Sequence, residues 1–362
     1  MDYTQQHHPG VPLSGTTRGQ WAENIHTGRI AVVDASGRLL AAAGDPYAEA
    51  FMRSTAKPVQ AAPSIAAGLM ERFGLPEEAI ALMSASHRGA PEHIALLERM
   101  LELTGVREEQ LAFHDDLPLG RHERDEAMRA GAAPRKLYHT CSGKHVGLLA
   151  YCRMMDWPLE GYTNPEHPLQ QRMLEAVAAF ADLEPEEIGR AVDGCGLPVF
   201  RLPLEAIALT YARLALPEAA MADDEALPAA RRVAEAMLAH PALVEGEGRL
   251  ASVLLEHGIL AKSGAQGMFA LAIPQAGIGA AIQVDDGGES AWPVIAAELL
   301  DQLRGSLDLA GVLPEDRIDL ERLLSAAAEG VRAQFPEVMV SSTGVETGRL
   351  RPAFELEWSS GL

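Results

Sequence analysis

Three stretches of this 362-residue chain set a lysine beside a serine or a cysteine: Ser54-Thr55-Ala56-Lys57, Cys141-Ser142-Gly143-Lys144 and Lys262-Ser263-Gly264. The chain has four lysines among its 30 basic residues, and Lys136 alone lies outside these motifs. Arginine therefore supplies nearly all plain positive charge. Genomic drift from lysine to arginine explains the scarcity, but not why the survivors sit beside Ser and Cys. Guanidinium stays protonated at any working pH, whereas a buried lysine can lose its proton and act as a base or a metal ligand. Ser54 and Lys57 are three residues apart, so a helix starting near Ser54 would put them on one face. A neutral Lys57 could then take the hydroxyl proton and turn a poor nucleophile into a good one. That requires the lysine to fall from about 10.4 towards 7–8, which burial or a neighbouring cation supplies.

Two further clusters have the same flavour. Ser84-Ala85-Ser86-His87-Arg88-Gly89 could bring the Ser86 hydroxyl beside Lys262, or could simply cap the helix that starts at Pro91. Cys141-Ser-Gly-Lys144-His145 and Asp193-Gly194-Cys195-Gly196 carry two thiols among turn-forming glycines. Two thiolates suit a soft or borderline metal. Lys144, or His139 and His145, could complete the set. From spacing alone, two buried cysteines without metal are the simpler reading.

Elements must hold these groups. Gly28–Asp34 and Arg38–Ala43 flank a Gly-containing turn and predict a β-hairpin. From Ser54 to about Leu255 the text is helical, with Ile94, Leu97 and Leu101 on one face after Pro91. Further helices are expected after Pro168, over 204–215 and over 226–239. Strands return at 267–273 and 279–284, helices follow at 290–304 and 318–333, and a last hairpin turns at Thr343-Gly344. The expectation is an α+β domain, an antiparallel sheet with a large helical insert. Residues 1–20 read as a flexible tail. Residues 21–362 read as one catalytic domain, its sheet part 21–53 plus 255–362 and its helical part 54–254. S-x-x-K near the start and K-S-G near the end, around a helical insert, is the arrangement of serine β-lactamases and penicillin-binding proteins.

Composition narrows the function. Apolar residues make up 48% and charged residues 22%, enough for a substantial core. A net charge of −21 argues against nucleic acid and anionic membrane as partners. No apolar run is long enough to cross a bilayer, and the N-terminus has no secretory signal pattern. Three cysteines fit a reducing cytoplasm, not a disulfide framework.

Taken together, the motifs resemble the bacterial asparaginase II family, the Rhizobium etli-type L-asparaginases, which are unrelated to the Escherichia coli threonine enzymes. The resemblance runs from about Trp21 to about Leu303. It is carried by Arg53-Ser54-Thr55-Ala56-Lys57-Pro58, Ala85-Ser86-His87-Arg88-Gly89-Ala90-Pro91-Glu92-His93 and His139-Thr140-Cys141-Ser142-Gly143-Lys144-His145. It continues in Asp193-Gly194-Cys195-Gly196-Leu197-Pro198 and Ala261-Lys262-Ser263-Gly264-Ala265-Gln266-Gly267. It implies a β-lactamase-like fold and hydrolysis of L-asparagine to aspartate and ammonia. It implies two Ser-Lys pairs, Ser54–Lys57 and Ser86–Lys262, with Ser54 as the preferred nucleophile. It also implies a zinc ion on Cys141, Lys144 and Cys195, reversing the metal-free reading. Arg53, His145 and Asp193 match substrate-contacting positions, Arg53 suiting the α-carboxylate and Asp193 the α-ammonium. A homodimer is implied on the same ground. The chain departs from the family pattern at Arg88-Gly89-Ala90, Thr140, Gln266, Gln283 and Ser290, which bears on substrate choice and turnover. The competing expectations are a same-fold hydrolase of another amide or a β-lactam, and a non-catalytic amino-acid-binding homologue.

Overall fold

The computed structural model describes residues 10–220 and 224–359. Among these residues twelve strands form in chain order: β1 (Val11–Arg18), β2 (Trp21–Asp34), β3 (Leu39–Ala43), β4 (Glu49–Phe51), β5 (Gly189–Val192) and β6 (Pro198–Pro203). Then come β7 (Leu260–Ser263), β8 (Met268–Ile273), β9 (Ile278–Val284), β10 (Val338–Val340), β11 (Glu346–Pro352) and β12 (Glu357–Trp358). The main sheet runs β10-β11-β1-β2-β9-β8-β7, and β3 pairs with both β2 and β12. Its pairings are antiparallel throughout. A small second sheet, β4-β6-β5, joins the segment before Ser54 to the segment that carries Cys195.

Period-two alternation sorts the main sheet into two faces. Ile30, Val32, Phe269, Leu271 and Ile282 pack against the helices Trp292–Arg304 and Pro314–Gln334. Ala31, Val33, Ala270, Ala272 and Ala281 face the long helical segment. The second face is built of small residues because a helix lies close on it. A Cβ on Gly279 would sit 2.2 Å from the Ala208 carbonyl oxygen, in the helix Leu204–Ala215. Under the same face lies the helix Lys57–Ala66, with residues 57–65 all buried.

The predicted helices are present: Pro91–Thr104, Pro168–Ala181, Leu204–Ala215 and Ala226–Ala239. The N-terminal expectation is corrected. Residues 11–18 are not a tail but strand β1, between β2 and β11. The rest of that expectation, residues 1–9, lies outside the described residues. The segment 54–254 is not purely helical either, since it contains β5 and β6. Among the described residues no helix is long and apolar enough to cross a membrane.

Candidate active site

Three chain segments converge on one hydroxyl. Lys57 opens its helix and is wholly buried, so its amine must find partners inside the protein. It donates to the Ala85 carbonyl at 2.6 Å and lies 2.9 Å from Ser86 Oγ. Lys262, near the end of edge strand β7, lies 2.9 Å from the same oxygen. Ser86 is fixed from behind by its amide, which donates to Val244 O at 2.8 Å. Next to it, His87 Nδ1 accepts from Gly89 N at 3.1 Å, so its Nε2–H donates to Ser142 Oγ at 2.7 Å. The loop that carries Ser86 is thereby tied to the start of the helix Ser142–Met154, beside Cys141.

Glu245 completes this group, and the motif reading missed it. It is 1% exposed. Its Oε1 accepts from Lys262 Nζ at 2.7 Å, from Ser263 N at 2.9 Å and from Ser263 Oγ. Burial pushes this carboxyl up, but Lys262, Ser263 and Arg88 outweigh it and hold it at about 2. Burial takes Lys262 down to about 8 against the pull of Glu245, with Lys57 adding to the fall. Burial also lowers Lys57, opposed by Cys141 and helped by Lys144. The signal for Glu245 was indirect: a buried lysine in a K-S-G strand needs a counter-charge.

Ser54 differs from expectation. It is half-buried in the single turn Arg53–Ala56, and no hydrogen bond joins its hydroxyl to Lys57 among the described residues. The two residues are linked through the backbone, Lys57 N to Ser54 O. The amine turns inward because the buried Ala85 carbonyl and Ser86 hydroxyl offer it acceptors there.

Arg53 and Asp193 meet at the mouth of this group. Arg53 Nε lies 2.9 Å and its Nη2 2.8 Å from Asp193 Oδ1. Each thus neutralises the other, and burial of Asp193 is offset by Lys144 and Arg53, which lower its carboxyl. Arg53 is a non-glycine residue at φ +50°, and Gln266 across the cleft is another at φ +56°. Such strain persists only where the surroundings enforce it. Both line a cleft of about 310 Å³ with Arg29, Glu49 and Gln283. Two of the family departures meet here, since Gln283 Nε2 donates to Gln266 O at 2.9 Å. A third, Thr140, has a buried hydroxyl without a partner among the described residues.

Cys141, Lys144 and Cys195 also come together. Lys144 Nζ lies 3.4 Å from Cys195 Sγ, and the Cys141 and Cys195 thiols are near enough to couple electrostatically. Cys195, then Lys57 and Lys144, hold Cys141 well below an ordinary thiol in spite of burial. His145 is fully buried, with Nδ1 2.7 Å from the Tyr162 hydroxyl. Its Nε2 has no hydrogen-bond partner among the described residues, and the ring feels the Cys195 thiol. Burial takes it down to about 4, so it is neutral at working pH. His139 borders this group, its Nδ1 accepting from Cys141 N at 3.1 Å and its ring stacked on Phe113 with centroids 3.9 Å apart. No three His, Cys, Asp or Glu side chains form a metal set among the described residues, so a metal here needs the Lys144 amine. An ionisable thiol, a second thiol and an amine fit a borderline cation.

The family model described as L-asparaginase II matches residues 15–326. The chain belongs to this family. It is therefore an asparaginase-type amidohydrolase with a small-molecule substrate, on an α+β fold with an antiparallel sheet. No curated protein matches it by sequence. Solved structures similar to it include the protein called Mglu in its native form in 4.3 M NaCl, at 17% identity over 85% of this chain and 81% of that one, TM-score 0.40. A β-lactamase from Mycobacterium bovis is similar at 16% identity over 85% and 94% of the two chains, TM-score 0.35. A Bacillus glutaminase is similar at 16% identity over 78% and 91%, TM-score 0.34.

Proposed function

We propose that this family member hydrolyses L-asparagine to L-aspartate and ammonia through a serine activated by buried lysine. The carrying observation is a pair of buried lysine amines, Lys57 and Lys262, each 2.9 Å from Ser86 Oγ, with Lys57 three residues after Ser54. Arg53 and Asp193 supply the recognition of a free amino acid, guanidinium for the α-carboxylate and carboxylate for the α-ammonium.

Ser54 is the attacking oxygen in this reading. It adjoins Arg53 and is the more accessible serine, whereas Ser86 is 7% exposed. With its amine turned from the Ala85 carbonyl and Ser86 Oγ towards Ser54, neutral Lys57 takes the Ser54 proton, and Ser54 Oγ bonds to the side-chain amide carbon. The carbon–nitrogen bond then breaks, and Ser86 passes a proton from Lys57 to the leaving ammonia. Water cleaves the resulting ester and restores the Ser54 hydroxyl. Lys262, kept charged by Glu245, repels a proton from Lys57 and so favours its basic form. Cys141, Lys144 and Cys195 are the residues that would hold zinc. When bound, the ion would fix this wall of the site and its charge. His145, buried beside Cys195, supports that wall.

The test is ammonia release from millimolar L-asparagine, L-glutamine, a β-lactam and simple amides, with zinc supplied. Asparagine is the expected substrate, with glutamine much poorer because one methylene displaces its amide by about 1 Å or more. No ammonia from asparagine would sink the reading, and turnover of another amide alone would reassign it. Ser54→Ala should abolish the covalent intermediate seen by mass spectrometry, while Ser86→Ala should slow turnover and still acylate. The opposite pattern would move the nucleophile to Ser86.

A further inference from the structure

The chain carries 51 acidic residues against 30 basic ones, so an arginine without a carboxylate needs explaining. Buried Arg29 pairs with Asp285 and Arg213 with Asp182. Half-buried Arg53, Arg135, Arg172, Arg201, Arg232, Arg332 and Arg349 pair with acids as well. Arg317 donates to the Val312 carbonyl. Arg88 and Arg249 are the exceptions among the described residues that are not exposed. Neither side chain takes part in a hydrogen bond or an ion pair, and both Nε atoms are buried and unpartnered. Both side chains are half-buried, and two guanidiniums held near one another without an acceptor repel.

The pair shares one cavity. Arg88, Arg249, Gly120, Gly246 and Arg121 line a space of about 760 Å³. The stem of Arg88 crosses Gly246, where a Cβ would lie 3.3 Å from Arg88 Cγ, and passes Gly120, where a Cβ would lie 3.1 Å from Arg88 Cβ. Gly246 leaves the Arg88 stem room on one side, while on the other the Glu123 carboxylate lies 1.9 Å from where a Gly120 Cβ would stand. Glu245, the neighbouring acid, is committed to Lys262 and Ser263. Glu92, Glu123, Glu126 and Glu247 also line the cavity, and none of them pairs with either arginine. They shut out a polyanion and leave room for one small anionic group.

We propose that Arg88 and Arg249 form a second ligand site, separate from the asparagine site, which binds the oxyanion of a small molecule, a carboxylate or a phosphate. Planar guanidiniums bind either group through paired N–H donors. The site stands on these residues alone and does not depend on the asparaginase reading.

The test is calorimetric titration of the full chain with inorganic phosphate and, separately, with succinate, against chloride at matched ionic strength. One site per chain is expected for at least one probe, and whichever binds identifies the source of the oxyanion. Arg88→Met and Arg249→Met should each weaken binding about tenfold or more, as loss of a charge-assisted hydrogen bond does. Arg53→Met should leave that binding in place. In chloride, Arg249→Met should melt no lower than the parent, because it loses a cation without an ion pair, whereas Arg88→Met also removes part of the field that lowers Glu245. A lower melting temperature for Arg249→Met would mark a structural role and overturn the proposal. Binding of neither probe, or binding that survives in both site variants, would overturn it too. If a variant fails to fold, parent protein decides: melting must rise with phosphate or succinate and not with chloride.

Discussion

Lys57 Nζ and Lys262 Nζ each lie 2.9 Å from Ser86 Oγ, so they are no more than twice that distance apart. Two full charges that close repel by about 3 kcal/mol or more at an effective dielectric of about 20. Glu245 decides which amine keeps its proton, because it contacts Lys262 and not Lys57. Activity should therefore fall as pH rises through about 8, where Lys262 discharges. Glu245→Gln should move that alkaline limb to lower pH, and a pH–rate profile checks it. Glu245 itself titrates at about 2 instead of 4.5, so it stabilises the fold above pH 4.5 by about 3 kcal/mol, and this is lost as pH falls towards 2. Lys262 runs the other way. Held at about 8 instead of 10.5, it costs a similar amount below pH 8, and the cost vanishes as pH rises to 10.5. The two nearly cancel at neutral pH, so the pair serves the site more than stability. Breaking it by Glu245→Gln alone should cost about 3–5 kcal/mol in urea unfolding, most of it recovered on adding Lys262→Met. Lys57→Arg should cut asparagine turnover about 10²–10⁴-fold, whereas Lys262→Arg, which keeps the charge, should cost less and remove the alkaline limb near 8, with Lys136→Arg nearly silent. Lys144→Arg should instead lower zinc content by elemental analysis. The lysines were legible because their scarcity and their neighbours marked them. Glu245 was not, because Glu245-Gly246-Glu247-Gly248 carries no spacing signal and Glu245 gains its meaning only when the fold sets it against Lys262.

At the scale of elements, the helices were readable where one face is buried. Leu97 is 0% exposed in a helix that starts at Pro91 and ends before Gly105 at φ +66°, as the punctuation implied. Strand β1 was not readable. Its partner β2 is exposed over residues 21–25, so β1 extends a ribbon with little apolar alternation for the sequence to display. The three-residue β4 is too short to show any period, yet it anchors the turn that holds Arg53. Close approach of the helix Leu204–Ala215 to the sheet rests on Gly279. Gly279→Val would drive a branched side chain into the Ala208 carbonyl and the Ala212 amide, 2.2 and 2.6 Å from the Cβ position. Overpacking of this kind typically costs about 1–3 kcal/mol, and here it meets backbone, so loss of soluble protein or a much lower melting temperature is expected.

At the scale of the whole molecule, the sheet divides two kinds of neighbourhood. One face packs against the C-terminal helices in an apolar layer, and the other meets the helical segment that supplies Lys57, Ser86, Cys141, Cys195 and Glu245. Order along the chain revealed this plan, since the strands open and close it. The junction was harder to foresee: β4 and β6 pair across about 150 residues, and that pairing brings Arg53 to Asp193. This ion pair makes an empty site its own competitor. A ligand with a carboxylate but no amine can claim Arg53 only by stranding Asp193, and a simple amine strands Arg53. A zwitterion repairs both at once, so its entry is a swap of partners in which the site's net charge never changes. On the roles proposed for Arg53 and Asp193, discrimination against half-charged analogues would come from this internal pairing more than from pocket shape. Because the swap moves no net charge through the field of a chain at −21, the KM for asparagine should change less than about twofold from low to molar salt, while inhibition by amine-free succinamate should be weak and strongly salt-dependent.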